Sequence, residues 1–458
     1  TTGNSNTANG AFALQYNTTG NGNTANGANA LYSNKANIGS TAVGYGAMFY
    51  ADNRTAGVST YNTAVGYEAL RGSTTASNNT GQYNTATGHS ALFSNTTGVY
   101  NTANGVQTLY SNTEGAFNTG IGAVALRNNT SGNNNTAIGR QALFFNTIGS
   151  FNTANGAQSL YNNESGSDNT GSGSGALRNN TIGNSNSAFG RLTLFNNTIG
   201  NFNTAIGREA LYSNTSGNNN STTGYLALYN NTTGNNNTAN GRQALYNNTI
   251  GNNNTANGNE SLFNNTTGND NTTNGISALF SNTTGHSNTA IGGYALYFNT
   301  TGSNNTGIGN NAQVPSATAS NQVRIGNTAV TYAGVQVAWT ITSDQRWKEN
   351  IQTSALGLNF INDLHPVSYS RKNDENKKTE YGFIAQELEK TLADYKVSND
   401  LLAPMVKAIQ ELKAENDQLK AQNNWADAAI KNIKLTNEAL TNRLEKLEQL
   451  LRVTAESK

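Results

Sequence analysis

The chain has 458 residues, with 27 Lys and Arg against 26 Asp and Glu, three histidines and no cysteine. This near-neutral balance excludes a nucleic-acid or anionic-membrane partner held by a global field, and the lack of cysteine excludes a disulfide framework and thiolate metal sites. No apolar run reaches the ~18–20 residues of a spanning helix, so membrane insertion is not expected; no cofactor is expected either.

The charges are unevenly spread. Residues 1–312 hold 8 acidic and 9 basic side chains, whereas residues 313–458 hold 18 of each. That step divides the chain into a polar repeat, 1–312, and a charged C-terminal part. The chain opens within a repeat at Thr1-Thr2-Gly3, with no targeting signal, and reads as a fragment or processed form.

Asn, Gly, Thr and Ser dominate residues 1–312, a composition that alone suggests disorder. Periodicity overrules it. An Asn-Thr-Ala-like triplet recurs eighteen times between Thr7 and Thr306, every 17 residues except for two steps of 22 between Thr41 and Thr85. The pattern reads N-T-A-x-G-x-x-A-L-[YF]-x-N-x-[TIS]-G-x-x, and such a fixed period signals a solenoid. The invariant glycine, from Gly10 to Gly309, implies positive φ or a close backbone approach. The place after the Thr is always small, so something packs tightly there. One large apolar residue per coil, Leu14 through Leu296, forms a core column. An aromatic column follows it, as at Tyr32, Phe144, Tyr212 and Tyr297. Seventeen residues allow two strands of four or five residues and two turns. Neighbouring strand residues face opposite ways, so Leu and aromatic columns cannot share one interior. A coil this thin buries little apolar area against the entropy of ordering it. A partner face is therefore expected, and the aromatic column is the candidate, with solvent-facing coil-to-coil stacking as the other reading. The N-T-A-x-G-x-x-A motif resembles the head repeats of trimeric autotransporter adhesins, which implies a trimeric parallel β-roll. An intertwined three-chain β-helix is the alternative path.

Residues 313–342 break the period. After Pro315, the segments Val323–Gly326, Ala329–Tyr332 and Val335–Trp339 read as short strands. They lead to Ser343-Asp344-Gln345-Arg346-Trp347-Lys348-Glu349-Asn350-Ile351. A serine hydroxyl is a weak nucleophile and needs a base. A lysine can serve if its surroundings leave it neutral, and Ser-Lys pairs are a known variant of the serine triad. The bland alternative is that Ser343 caps a helix opening at Asp344, with Lys348 solvated.

The stretch resembles the S-D-x-R-x-K-x-N-I signature of the endosialidase-type intramolecular chaperone at the C-terminus of phage tailspikes and fibres. The segment Tyr381–Leu388 resembles that family's G-x-I-A-Q-E segment. The resemblance implies a domain that trimerises and folds a β-rich fibre and then cuts itself off between Thr342 and Ser343. Ser343 would be nucleophile and Lys348 base, with Asp344, Arg346 and Asn350 in support. Leu356–Leu364 reads as a helix, Pro366–Ser370 as a strand, and Tyr381–Leu388 as the opening of a helix. His365 reads as structural.

From Leu401 a heptad runs unbroken, with d positions from Met405 to Leu447 and a positions from Ile409 to Leu451. Seven heptads with charges among the e and g positions predict a coiled coil. Asn416, Asn423 and Asn437 at a positions fix register at some cost in stability.

The expected fold is mainly β: a trimeric 17-residue-repeat solenoid (1–312), a β-rich junction (313–342), a small α+β chaperone and autoprotease core (343–400) and a coiled-coil helix (401–458). The expected function is a homotrimeric extracellular fibre or adhesin-like receptor-binding protein, on a virion or a bacterial surface. Its partner would be a host glycan or receptor, and its one catalytic act the single cut. A glycan-degrading tailspike would need paired carboxylates. The eight acidic residues of the repeats (Asp52, Glu68, Glu114, Glu164, Asp168, Glu209, Glu260 and Asp270) are scattered. A purely structural fibre with an uncleaved chaperone is the remaining alternative. A flat T-x-T array for ice and the G-G-x-G-x-D calcium repeat are both missing.

Overall fold

The computed structural model describes residues 2–334, 356–370, 377–395 and 402–455. The chain forms two compact units, Thr1–Thr328 and Ala329–Lys458.

The first unit is a β-solenoid with one sheet of nineteen parallel strands, from Thr7–Asn9 to Val323–Ile325. Successive strands pair in register, Thr on Thr and Ala on Ala, as in Thr136↔Thr153 and Ala137↔Ala154. Each coil holds one strand of three residues, not two of four or five. The remaining residues of the coil run as turns, because positive φ interrupts the pleat. In one coil Gly139, Gln141, Leu143 and Phe151 have φ of 132°, 62°, 51° and 60°. The turn backbone still bonds to the next coil: the Leu143 N–H donates to the Ser159 carbonyl (3.0 Å) and that of Thr147 to Glu164 (2.9 Å). Stacking thus satisfies polar groups that an isolated turn would leave to water.

Both readings of the invariant glycine hold. At Gly139 φ is +132°, and a Cβ there would stand 2.7 Å from the Gly156 carbonyl of the next coil. The small place after the Thr lies inside, as at Ala137 and Ala154, both fully buried. The Leu column is buried along the whole repeat. The aromatic column lies outside it, but in turns rather than on the opposite face of a strand. Its rings stack on one another: Phe195, Tyr212, Tyr229, Tyr246, Phe263, Phe280 and Tyr297 have centroids 5.1–5.3 Å apart. Where an arginine takes the place, its guanidinium fills the gap. Arg127 lies 5.2 Å from the Tyr110 ring centre and 5.9 Å from that of Phe144. Arg178 does the same between Tyr161 and Phe195, and Arg71 lies over Phe93 and over Tyr50, one place beyond the column.

The other half of the interior is polar. Two asparagine columns, one before the Thr and one two places after the aromatic, are buried. Asn118 Nδ2 donates to the Gly132 carbonyl (2.8 Å), and the Asn118 backbone N–H donates to Asn101 Oδ1 (3.0 Å). Asn129 Nδ2 donates to that same carbonyl (3.0 Å) and to Asn112 Oδ1 (2.8 Å). A made hydrogen bond contributes about 0.5–1.5 kcal/mol net, whereas an unmade buried one costs about 1–3 kcal/mol. These columns supplement what the thin apolar core lacks.

The two 22-residue coils keep the strand register, Thr41↔Thr63↔Thr85. Their extra residues bulge out after the core residue, one of them through the short 3-10 turn Ala76–Asn78. Strand Val323–Ile325 pairs with Thr306–Ile308 and extends the sheet beyond the last Asn-Thr-Ala-like triplet. No strand forms over Ala329–Tyr332, and Val335–Trp339 lies outside the described residues.

Candidate chaperone and cleavage site

The second unit contains helix α1 (Leu358–Asn362), helix α2 (Ala385–Asp394) and helix α3 (Leu402–Ala455). Strands Pro366–Tyr369 and Glu380–Phe383 pair antiparallel between α1 and α2. The stretch from Tyr381 therefore begins as a strand, and its helix opens only at Ala385.

Helix α1 is short and has no capping side chain of its own. Its Leu358 N–H donates instead to Glu411 Oε2 of α3, at 2.8 Å. A carboxylate at a helix N-terminus satisfies an orphan donor and suits the helix dipole. Gly357 permits the approach, because a Cβ there would collide with the Glu411 carboxylate. Phe360 is buried and meets the Tyr395 ring edge-on at 5.0 Å. The Tyr395 hydroxyl donates to Asp363 Oδ2 (2.5 Å), and this bond raises the phenol above its ordinary pKa. His365 Nδ1 lies 3.0 Å from Glu387 Oε2, an exposed pair of small energetic weight.

Counted along the heptad, Glu411 is a c position, so α1 docks away from the a/d seam. The seam itself is exposed, at Met405, Ile409, Leu412, Leu419, Ile430 and Ile433 among others. An apolar stripe along 54 helical residues suits a coiled-coil partner.

The expected cleavage pair Thr342 and Ser343, the base Lys348, and the supporting Asp344, Arg346 and Asn350 all lie outside the described residues. What is described is the downstream frame: α1, the strand pair, α2 and their anchor on α3. Sequence reasoning missed Glu411 and Gly357, which meet across 54 positions of chain without a local pattern to signal it.

In the repeats, four of the eight acidic side chains pair with arginines. Asp52 is buried and pairs with Arg54 (2.7 Å), and its carboxylate raises the pKa of that guanidinium. Glu68 pairs with Arg71 (3.2 Å), Glu209 with Arg208 (3.0 Å) and Glu260 with Arg242 (3.2 Å). Asp270 accepts from Asn253 Nδ2 (3.0 Å). Among the described residues, no group of three or more His, Asp or Glu could hold a metal ion, and no helix is long and apolar enough to cross a membrane.

No curated protein and no solved structure matches the chain. Residues 343–396 match the model of one family, described as the chaperone of endosialidase. A β-solenoid of nineteen strands followed by a segment similar to the endosialidase chaperone fits a tailspike or fibre protein with a C-terminal chaperone.

Proposed function

We propose that this chain is a homotrimeric extracellular fibre whose solenoid binds a host-surface glycan or receptor. Its C-terminal chaperone brings three copies into register through α3 and then releases itself by one cut per chain. The observation that carries this reading is the family match, which begins at Ser343, the residue at which the cut is expected. The setting is a virion tail or a bacterial surface.

In the proposed cut, Ser343 Oγ attacks the Thr342 carbonyl carbon while the neutral Lys348 amine takes the hydroxyl proton. The Thr342–Ser343 C–N bond breaks as its nitrogen gains a proton. An ester then joins the Thr342 carbonyl to Ser343 Oγ. Water hydrolyses that ester, giving a carboxylate on Thr342 and a free amine on Ser343. Asp344, Arg346 and Asn350 position the pair. Among the repeat carboxylates, Asp52, Glu68, Glu209 and Glu260 pair with arginines, and the scatter of the other four along the repeat favours binding over glycan hydrolysis, which needs an acid and a base set together.

The test is expression of the full chain, electrophoresis with and without boiling, and N-terminal sequencing of the smaller product. Wild type yields a piece that begins at Ser343. Ser343→Ala, Lys348→Ala and Lys348→Arg give folded, uncut chains, since guanidinium does not surrender its proton near neutrality. Ser343→Cys retains slow cutting, because a thiol is the better nucleophile. A product that starts elsewhere, or equal cutting in Lys348→Ala, defeats the dyad.

A further inference from the structure

We infer that the strand face of the solenoid is the surface on which copies of this chain meet. The inference rests on the proposed oligomer and assigns it a specific face. In the seventeen strands from Thr24–Asn26 to Thr306–Ile308 the middle residue is buried and the outer two are not. Ala137 is fully buried, while Ile138 is 40% exposed. The outer strand column carries exposed Ile121, Ile138, Ile206 and Ile291, and a bordering column adds Phe117 and Phe202. About half of the exposed large apolar side chains between Phe12 and Ile325 lie in these two strand columns and the bordering one. From Thr7 to Ile308 neither outward strand column contains one Asp, Glu, Lys or Arg, although residues 1–312 hold 17 of them. The bordering column holds Asp168 and Asp270, so charge is excluded from the two strand columns and returns at their rim, the pattern of an interface centre.

Two features select a second copy as the occupant. The face recurs with the pitch of the coils along nineteen strands. A rigid partner of any other repeat length drifts out of register over that distance, and another copy does not. The exposed a/d seam of α3 independently requires partner helices. Copies joined there in parallel carry identical columns at equivalent heights. The aromatic column, by contrast, has its ring faces covered by its own neighbours, so it offers a partner mainly ring edges.

The chain has no cysteine, so single cysteines report cleanly. Ile138→Cys and Ile206→Cys place a nitroxide label on the strand face. Ile148→Cys and Ile199→Cys place one on an exposed turn column. Inter-copy distances are measured by pulsed electron resonance on the full chain, and mass by light scattering on the same samples. The strand-face labels are expected to lie closer between copies than the turn labels, by roughly 10 Å, one sheet-packing spacing. An oligomer in which the turn labels are equally close or closer overturns the assignment and leaves the assembly standing. A monomeric mass overturns both. Strand-face labels that respond to added polysaccharide, with no short inter-copy distance, would give the face to a glycan instead.

Discussion

Asn180 shows what one side chain does here. Its Nδ2 donates to Asn163 Oδ1 (2.7 Å) and to the Gly183 carbonyl (2.9 Å), and its Oδ1 accepts from Asn197 (2.7 Å). Asn180→Asp keeps the shape but removes both donors and buries a charge. The expected loss is on the order of 1–3 kcal/mol or more, read as a lower urea midpoint by circular dichroism. Asn179→Asp, one place outward and partly exposed, should change the midpoint little. Equal effects at the two sites would show that the inner amides carry no special weight. Part of this was legible in the sequence. Leu143 and Gly139 announce their columns because each recurs alone at a fixed step. The asparagines recur just as strictly, but asparagine is common in turns, and nothing local distinguishes a buried amide from a loop. Leucine at φ of 51° was not legible at all. Its local preference opposes that conformation, and only the stacked neighbours hold it there.

At the scale of an element, the aromatic column and the α1–α3 joint each make a prediction. Arg127 bridges two rings, and a cation–π contact at an exposed site contributes about 0.5–1 kcal/mol. Arg127→Tyr should continue the stack with unchanged or raised thermal stability, whereas Arg127→Ala should lower it. A fall with both variants would mean that the guanidinium does something other than fill the column. In the second unit, Tyr395 keeps its proton more tightly when folded, because the phenol donates to Asp363. That contribution is complete below the unfolded phenol value of about 10. It is lost as pH rises through the higher folded value. Thermal melts of wild type should therefore fall above pH ~10 relative to Tyr395→Phe, and parallel curves would contradict the bond. Glu411→Ala should unravel α1 while leaving α3 helical, seen as lost amide protection at Leu358. The heptad of α3 was legible from its seven-residue step. Its grip on α1 was not, because a contact spanning 53 residues leaves no periodic trace.

For the whole molecule, the 17-residue step behaves as a unit of length. Each coil bonds only to its neighbours through a fixed register. Deleting residues 127–177, three whole coils, joins Leu126 to Arg178 and preserves every column in phase. This variant should fold with similar circular dichroism and a similar melting temperature. A deletion of nine residues from the same place (127–135) puts the buried asparagines, Asn152 first, where Leu belongs and should abolish folding. Equal tolerance of both deletions would contradict the stacked arrangement. The solenoid itself was legible, since a fixed step implies stacking. The count of strands per coil was not, because strand lengths were inferred from coil length while the turns carry left-handed residues that composition does not reveal.

Those left-handed residues bear on how the molecule can come into being. Each non-glycine at such a φ costs roughly 1–2 kcal/mol by itself, and a coil such as that of Gly139 contains three of them beside its glycine. A lone coil is thus uphill, with no neighbour to receive its amides. Once one coil stands, its row of carbonyls and carboxamides is a mould on which the next is cast. Growth by copying is fast, and the first cast is rare. Unfolding and refolding curves of the repeat taken alone should therefore fail to superimpose, and a trace of folded material should close the gap. A chain of this kind gains most from whatever supplies the first mould.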